Sequence, residues 1–281
     1  MSDAPFRTLA VAGLGLIGGS IALAVRERWP SMRVTGVDTP AVLAHVRGNG
    51  ALDRAVTSMA DVGDVDLLVL AAPVHENEAL LASLPTPGPA LVTDVGGTKR
   101  SIVDAAAGLG LASRFVGGHP LGGGERGGFA FARPDLFEGR AWILTPSGTL
   151  PASHEALIRF VAGFGARPVT MAPDAHDRLM GYVSHLPQLT ASVLMDVVGS
   201  RVEADDLRLA GRGLVDTTRL ASSPVNIWRD ICDTNADAIG AALDDLIARL
   251  QALRADLRGA EVERLFGEAA RARAELMRGR E

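Results

Sequence analysis

Gly13-Leu14-Gly15-Leu16-Ile17-Gly18 has the spacing G-x-G-x-x-G and stands between a strand-like run and a helix-like one. In that context such glycines hold a dinucleotide. Gly13 permits a tight turn, Gly15 carries no side chain to block a pyrophosphate, and Gly18 lets helix and strand approach. The helix N-terminus, where Leu16 and Ile17 lie, offers free N–H groups and partial positive charge to the phosphates. The motif gains specificity from Asp38, which ends the next strand-like run at the distance expected for a carboxylate that binds ribose hydroxyls. A carboxylate there repels a 2′-phosphate, and Thr39 and Pro40 follow it rather than arginine or lysine, so NAD is expected over NADP. The plainer reading of Asp38 is a helix N-cap.

Three further segments follow apolar runs: Ala71-Ala72-Pro73-Val74, Asp94-Val95-Gly96-Gly97-Thr98-Lys99 and Gly117-Gly118-His119-Pro120-Leu121-Gly122. In an open parallel sheet the carboxyl ends of strands line the ligand crevice. Ala72, Pro73 and Gly96 are therefore expected beside the nicotinamide, and His119 beside whatever reacts with it. On composition alone the plainer reading of His119 is a polar residue ending a strand. His176 and His185 are nine apart and share no obvious helix face, so no zinc pair is expected, and His176 reads as capping or packing at least as readily as catalytic. His45, His75 and His154 read as solvated surface residues.

These residues need a scaffold. Apolar runs at 8–12, 33–37, 66–71, 90–93, 114–117, 141–145 and 168–171 alternate with amphipathic stretches at 16–26, 76–84, 98–107 and 153–164. Strand and helix in alternation imply βαβ units and a mostly parallel sheet covered on both faces. After Met171 the strand signals stop, and Ile239, Leu243, Leu246, Ile247, Leu250 and Leu253 recur at helical spacing. The expected architecture is α/β, a Rossmann-like doubly wound sheet in residues 1–172 followed by an all-helical domain in residues 173–281. Broad apolar helix faces in the second domain point to a homodimer formed through it. The run Pro85-Thr86-Pro87-Gly88-Pro89 reads as a stiff turn.

Composition narrows the function. Of 281 residues 47% are hydrophobic, which argues for packed domains, and the net charge of −5 leaves no footprint for nucleic acid or an anionic membrane. The single cysteine, Cys232, forms no internal disulfide and fits a reducing, cytoplasmic setting. The uncharged run from Thr8 to Val25 would span about 27 Å as one helix, but its glycines argue for strand, loop and helix instead.

Taken in order, GLGLIGGS at 13–20, DVGGTK at 94–99, GGHPLGGGE at 117–125, HD at 176–177, VSHLPQ at 183–188 and DTTRLASSP at 216–224, followed by Trp228, resemble the prephenate and arogenate dehydrogenases, the TyrA family. The likeness implies NAD-dependent oxidative decarboxylation of prephenate or arogenate on the route to tyrosine. It implies that His119 is the catalytic histidine and that Arg219 holds a substrate carboxylate, a task for which a planar guanidinium is suited. By the same likeness His185 lies near the substrate cleft, and Glu125 and Trp228 line or gate the pocket. Many members have serine where this chain has Gly97, a role that Thr98 takes over only if the loop shifts. Some carry a histidine at the position of Gln188 and a basic residue at that of Val215, where they recognise the substrate side chain. With neither here, arogenate, whose side chain bears an ammonium, is mildly favoured. Two other classes compete: a β-hydroxyacid dehydrogenase or imine reductase, which would draw a lysine or asparagine from a helix whereas the only lysine here is Lys99, and an NAD-sensing module without chemistry.

Overall fold

Strands covered on both faces have no polar face to expose, so continuous apolar runs such as Leu67-Leu68-Val69-Leu70 belong in the middle of a parallel sheet. The computed structural model of the chain describes residues 3–85, 88–124, 126–146 and 154–278. Its sheet has eight strands, β1 (Thr8–Ala12), β2 (Arg33–Val37), β3 (Arg54–Val56), β4 (Leu67–Leu70), β5 (Leu91–Asp94), β6 (Phe115–Pro120), β7 (Ala141–Pro146) and β8 (Arg167–Thr170), in the spatial order β3-β2-β1-β4-β5-β6-β7-β8. Every neighbouring pair is parallel except β6 and β7. The seven expected strands are all present. The eighth, β3, is three residues long with one strongly apolar member, too short for alternation to register.

Side chains alternate across β1 as period two requires: Leu9 and Val11 join one buried cluster, Ala10 and Ala12 the other. The first cluster takes in Ile21 and Val25 of α1 (Leu16–Arg28) and Phe160 of α5 (His154–Gly163); the second takes in Ile102 and Val103 of α4 (Arg100–Gly108) and Leu81 of α3 (Val74–Ala82). The short α2 (Pro40–Val46) lies outside the amphipathic stretches named from the sequence and was suggested there only by the N-cap reading of Asp38. His154 is buried rather than solvated, because it lies on the same stripe of α5 as Leu157, Phe160 and Val161. Burial lowers its imidazole pKa. The Pro85–Pro89 turn falls partly outside the described residues.

After β8 the chain is helical: α6 (Pro173–Met180), a π turn (Gly181–His185), α7 (Leu186–Gly199), α8 (Arg212–Thr217), a 3-10 turn (Arg219–Ser222), α9 (Val225–Thr234), α10 (Ala236–Ala255) and α11 (Ala260–Arg278). Pro187, which has no N–H to donate, follows the π turn and gives one reason for the widened ladder there. By compactness the chain divides into Met1–Ala236 and Asp237–Glu281. The boundary expected after residue 172 marks where strands end, but α6 to α9 belong to the same compact unit as the sheet. Among the described residues no helix is long and apolar enough to cross a membrane, and the uncharged run at 8–25 is divided between β1, a glycine turn and α1.

Candidate active site

The glycine turn after β1 is shaped by two close approaches and one opening. Gly13 has φ +95°, and a Cβ on it would lie 2.6 Å from the Ala71 carbonyl carbon. A Cβ on Gly18 would lie 1.9 Å from the Gly13 oxygen. On Gly15 a Cβ would meet nothing within 4 Å, so the space before α1 is open. That helix starts with no side-chain cap and no acid in its first turn, which leaves the amides of Leu16 and Ile17 and the helix dipole for an anion. The cradle fits a pyrophosphate.

Asp38 closes the other side of this cradle. Its Oδ2 accepts from the Leu14 amide at 2.7 Å and its Oδ1 from the Thr39 amide at 2.6 Å, so β2 and the glycine turn are pinned together. The N-cap of α2 is Thr39, whose hydroxyl accepts from Val42 N; Asp38 is not the cap. Each carboxylate oxygen retains acceptor capacity for a ribose hydroxyl. Ala72 and Pro73 follow β4, and the Ala72 amide donates to Asn77 Oδ1 at 3.0 Å, a buried brace not foreseen in the sequence.

β6 carries His119 farther than its parallel neighbour would allow. It pairs with β5 only through Phe115 and Val116, whereas the antiparallel β7 continues the ladder through Gly118, His119 and Pro120, with His119 opposite Ile143. The two preceding glycines are steric requirements. A Cβ on Gly117 would lie 2.3 Å from Thr145 Oγ1, and one on Gly118 2.4 Å from the Asp94 carbonyl oxygen.

His119 is half-buried, and its Nδ1 lies 2.8 Å from His176 Nε2. His176 Nδ1 lies 2.7 Å from Asp177 Oδ1, and both of these side chains are buried. The same Oδ1 accepts from the Lys99 amide at 2.8 Å, and Oδ2 accepts from the Arg100 amide at 2.9 Å. Burial pushes the Asp177 carboxyl upward, but the bonds from His176, Arg100 and Lys99 outweigh it and hold the pKa below the ordinary value. A carboxylate only accepts, so His176 Nδ1 carries a proton; in the neutral form of His176 its Nε2 then accepts, and His119 Nδ1 donates to it. His119 Nε2 is left with its lone pair. Burial, then the neighbours His176, Lys99 and His185, hold His119 well below the ordinary imidazole pKa, which keeps the ring neutral and this nitrogen unprotonated.

Lys99 closes the arrangement. Fully buried, its Nζ pairs with Asp94 Oδ2, whose other oxygen accepts from the Gly118 amide at 3.0 Å, one residue before His119. Asp94 Oδ2 also accepts from the Gly96 amide at 2.7 Å, which shapes the turn after β5. Burial lowers the Lys99 pKa against the opposing pull of Asp94. The Asp94–Gly118–His119–His176–Asp177–Lys99 circuit ties the ends of β5 and β6 to α6.

The helical side contributes His185, whose Nδ1 accepts from Asn235 Nδ2 at 3.2 Å and whose ring meets Trp228 edge-on at 5.9 Å. Burial lowers the His185 pKa to about 4, so the ring is neutral and presents Nε2–H. Asn235 also donates to the Asp177 carbonyl at 2.9 Å and so joins His185 to the His176–Asp177 pair. Thr98 behaves differently from the expectation. It is buried with its Oγ1 2.7 Å from Thr234 Oγ1, which itself donates to the Asp230 carbonyl, so the Thr98 proton is directed at α9 rather than at His119. Gln188 is buried with its amide bonded to the turn around Leu220 and Ser223. Arg219 opens that 3-10 turn and is exposed. Glu125 lies outside the described residues. The pairing of His176 with His119 was not legible: HD at 176–177 stood out as a motif, but nothing in its spacing says that α6 lies over the end of β6.

Two family models cover most of the chain. Residues 21–170 match the nucleotide-binding domain of prephenate dehydrogenase and residues 172–269 its dimerization domain. The prephenate dehydrogenase of Bacillus subtilis is 36% identical over 269 residues, 92% of this chain and 72% of that protein. The cyclohexadienyl dehydrogenase of Zymomonas mobilis is 31% identical over 260 residues, 89% of this chain and 88% of that one. Among solved structures, prephenate dehydrogenase from Aquifex aeolicus in complex with hydroxyphenyl propionate and NAD+ aligns with a TM-score of 0.88 at 28% identity, covering 99% of both chains. Synechocystis arogenate dehydrogenase aligns with a TM-score of 0.78 at 26% identity, covering 96% of this chain and 99% of that one.

Proposed function

Because this chain belongs to the prephenate dehydrogenase family, we propose that it oxidises and decarboxylates prephenate or its amino analogue arogenate in tyrosine biosynthesis. It is an NAD-dependent oxidoreductase, and the cradle of Gly13, Gly15, Gly18 and Asp38 fits that cofactor. The observation that carries the reading is the contact of His119 Nδ1 with the His176–Asp177 pair near the carboxyl end of a strand, which leaves Nε2 as the nitrogen able to accept a proton.

NAD, when bound, supplies the acceptor for the hydrogen and electron pair that leave ring carbon C4. His119 Nε2 takes the proton of the C4 hydroxyl as that carbon is oxidised. The bond from the ring to the carboxylate then breaks, CO₂ departs, and its electron pair makes the ring aromatic with the charge on the C4 oxygen. The imidazolium returns its proton to that oxygen and His119 is restored. His176 and Asp177 keep the imidazole in the required tautomer and stabilise its transient charge. Arg219 binds a substrate carboxylate, and His185 and Trp228 form the wall of the substrate cleft. Ala72, Pro73 and Gly96 face the nicotinamide.

Between the two acids the residues favour arogenate, since neither Gln188 nor Val215 adds positive charge against an ammonium. We assign substrate binding and dimer formation to residues 173–281, and a homodimer through this region agrees with exposed apolar residues such as Leu250, Phe266 and Leu276. The deciding experiment follows NADH absorbance with purified protein, NAD and each acid in turn. Turnover with at least one acid is expected, with the higher kcat/KM on arogenate. No NADH from either would overturn the reading.

A further inference from the structure

Gln188 is buried near the start of α7, and its amide is used at both ends. Nε2 donates to the Leu220 carbonyl at 2.7 Å and lies 3.4 Å from Ser192 Oγ, while Oε1 accepts from Ser223 Oγ at 3.0 Å. Ser192 sends its own proton to the Gln188 carbonyl at 3.0 Å, so its oxygen is free to accept. The amide orientation is fixed by these partners, because the flipped form would point oxygen at the Leu220 oxygen. Both N–H groups are committed, and no donor remains for a ligand.

Two of these bonds, to the Leu220 carbonyl and from Ser223, reach one short turn and its C-cap. Arg219–Ser222 is a single 3-10 turn, a short element with poorer hydrogen-bond geometry than an α-helix, so its position depends on what it packs against. We propose that Gln188 is a positioning residue that latches this turn to α7 and thereby sets where the Arg219 guanidinium stands. The proposal rests on the carboxylate-binding role given to Arg219 above. It assigns position 188 a role in holding the arginine rather than in reading the substrate side chain.

Gln188→Glu keeps the shape and the bond from Ser223 but sets an oxygen against the Leu220 carbonyl. The KM for the acid should rise on the order of tenfold, with kcat and the KM for NAD changed by less than about twofold. In an Arg219→Ala background the same substitution should add nothing, because both act through one guanidinium. A full additional rise in that background overturns the proposal. So does a changed ratio of kcat/KM between prephenate and arogenate, which would mean that the amide touches the substrate side chain. If Gln188→Glu does not fold, Ser223→Ala removes the bond to Oε1 from the other side and is judged by the same criteria. An unchanged KM in Arg219→Ala alone sinks the arginine's role and the latch with it. A raised KM there with no effect of the position-188 variant sinks the latch alone.

Discussion

His119 Nδ1 stands 2.8 Å from His176 Nε2, and this contact decides which nitrogen of the imidazole proposed as the base carries a proton. His176 is committed to Asp177 through its other nitrogen, so it meets His119 only as an acceptor. The base is therefore prepared before substrate arrives.

That relationship can be tested at His176. Leucine there leaves His119 Nδ1–H without an acceptor and should cut kcat by roughly ten- to a hundredfold, the usual cost of losing such a supporting contact. Glutamine, which offers an oxygen, should restore part of the loss. Equal kcat for both variants and the unsubstituted enzyme would show that the contact is incidental. KM for the acid should move little in either variant.

The depressed pKa of His119 gives the pH profile a sign. Only the neutral ring accepts a proton, so kcat/KM should fall as pH drops through the lowered value. The acidic limb should then lie below about pH 6.5, the ordinary imidazole value. A limb at or above that pH would contradict the electrostatic surroundings described.

Two glycines of the same turn should fail in different ways. Gly15→Ala places its methyl where nothing lies within 4 Å, so Tm should hold while the Kd for NAD rises about tenfold or more. Gly18→Ala drives its methyl into the Gly13 carbonyl and should cost about 1–3 kcal/mol of stability, read by thermal or denaturant unfolding.

Lys99→Met strands Asp94 as a buried carboxylate without its cation. The loss should be about 3–5 kcal/mol in denaturant unfolding, far beyond that of an exposed ion pair such as Arg133–Asp135.

The sheet was legible because its strands are apolar runs punctuated by glycine and proline, and the cofactor turn because close approach and open space both demand glycine. The strand-end rule put His119 near the carboxyl end of β6 without any contact being known. What resisted reading depends on long-range packing. Thr98 is diverted by Thr234, and Gln188 by Leu220 and Ser223, partners 136, 32 and 35 residues away in the sequence. His154 is the opposite case, since its place on the stripe of Leu157 and Phe160 was visible in the spacing.

The reversal of direction between β6 and β7 has a thermodynamic consequence. By extending the ladder past the end of β5, it places the His119 imidazole on backbone already ordered when the chain folds. A base carried on a loose loop must be ordered again each time a ligand arrives, which subtracts from affinity. Here that ordering belongs to folding, and the entropic demands of turnover fall on the parts of the protein outside the sheet.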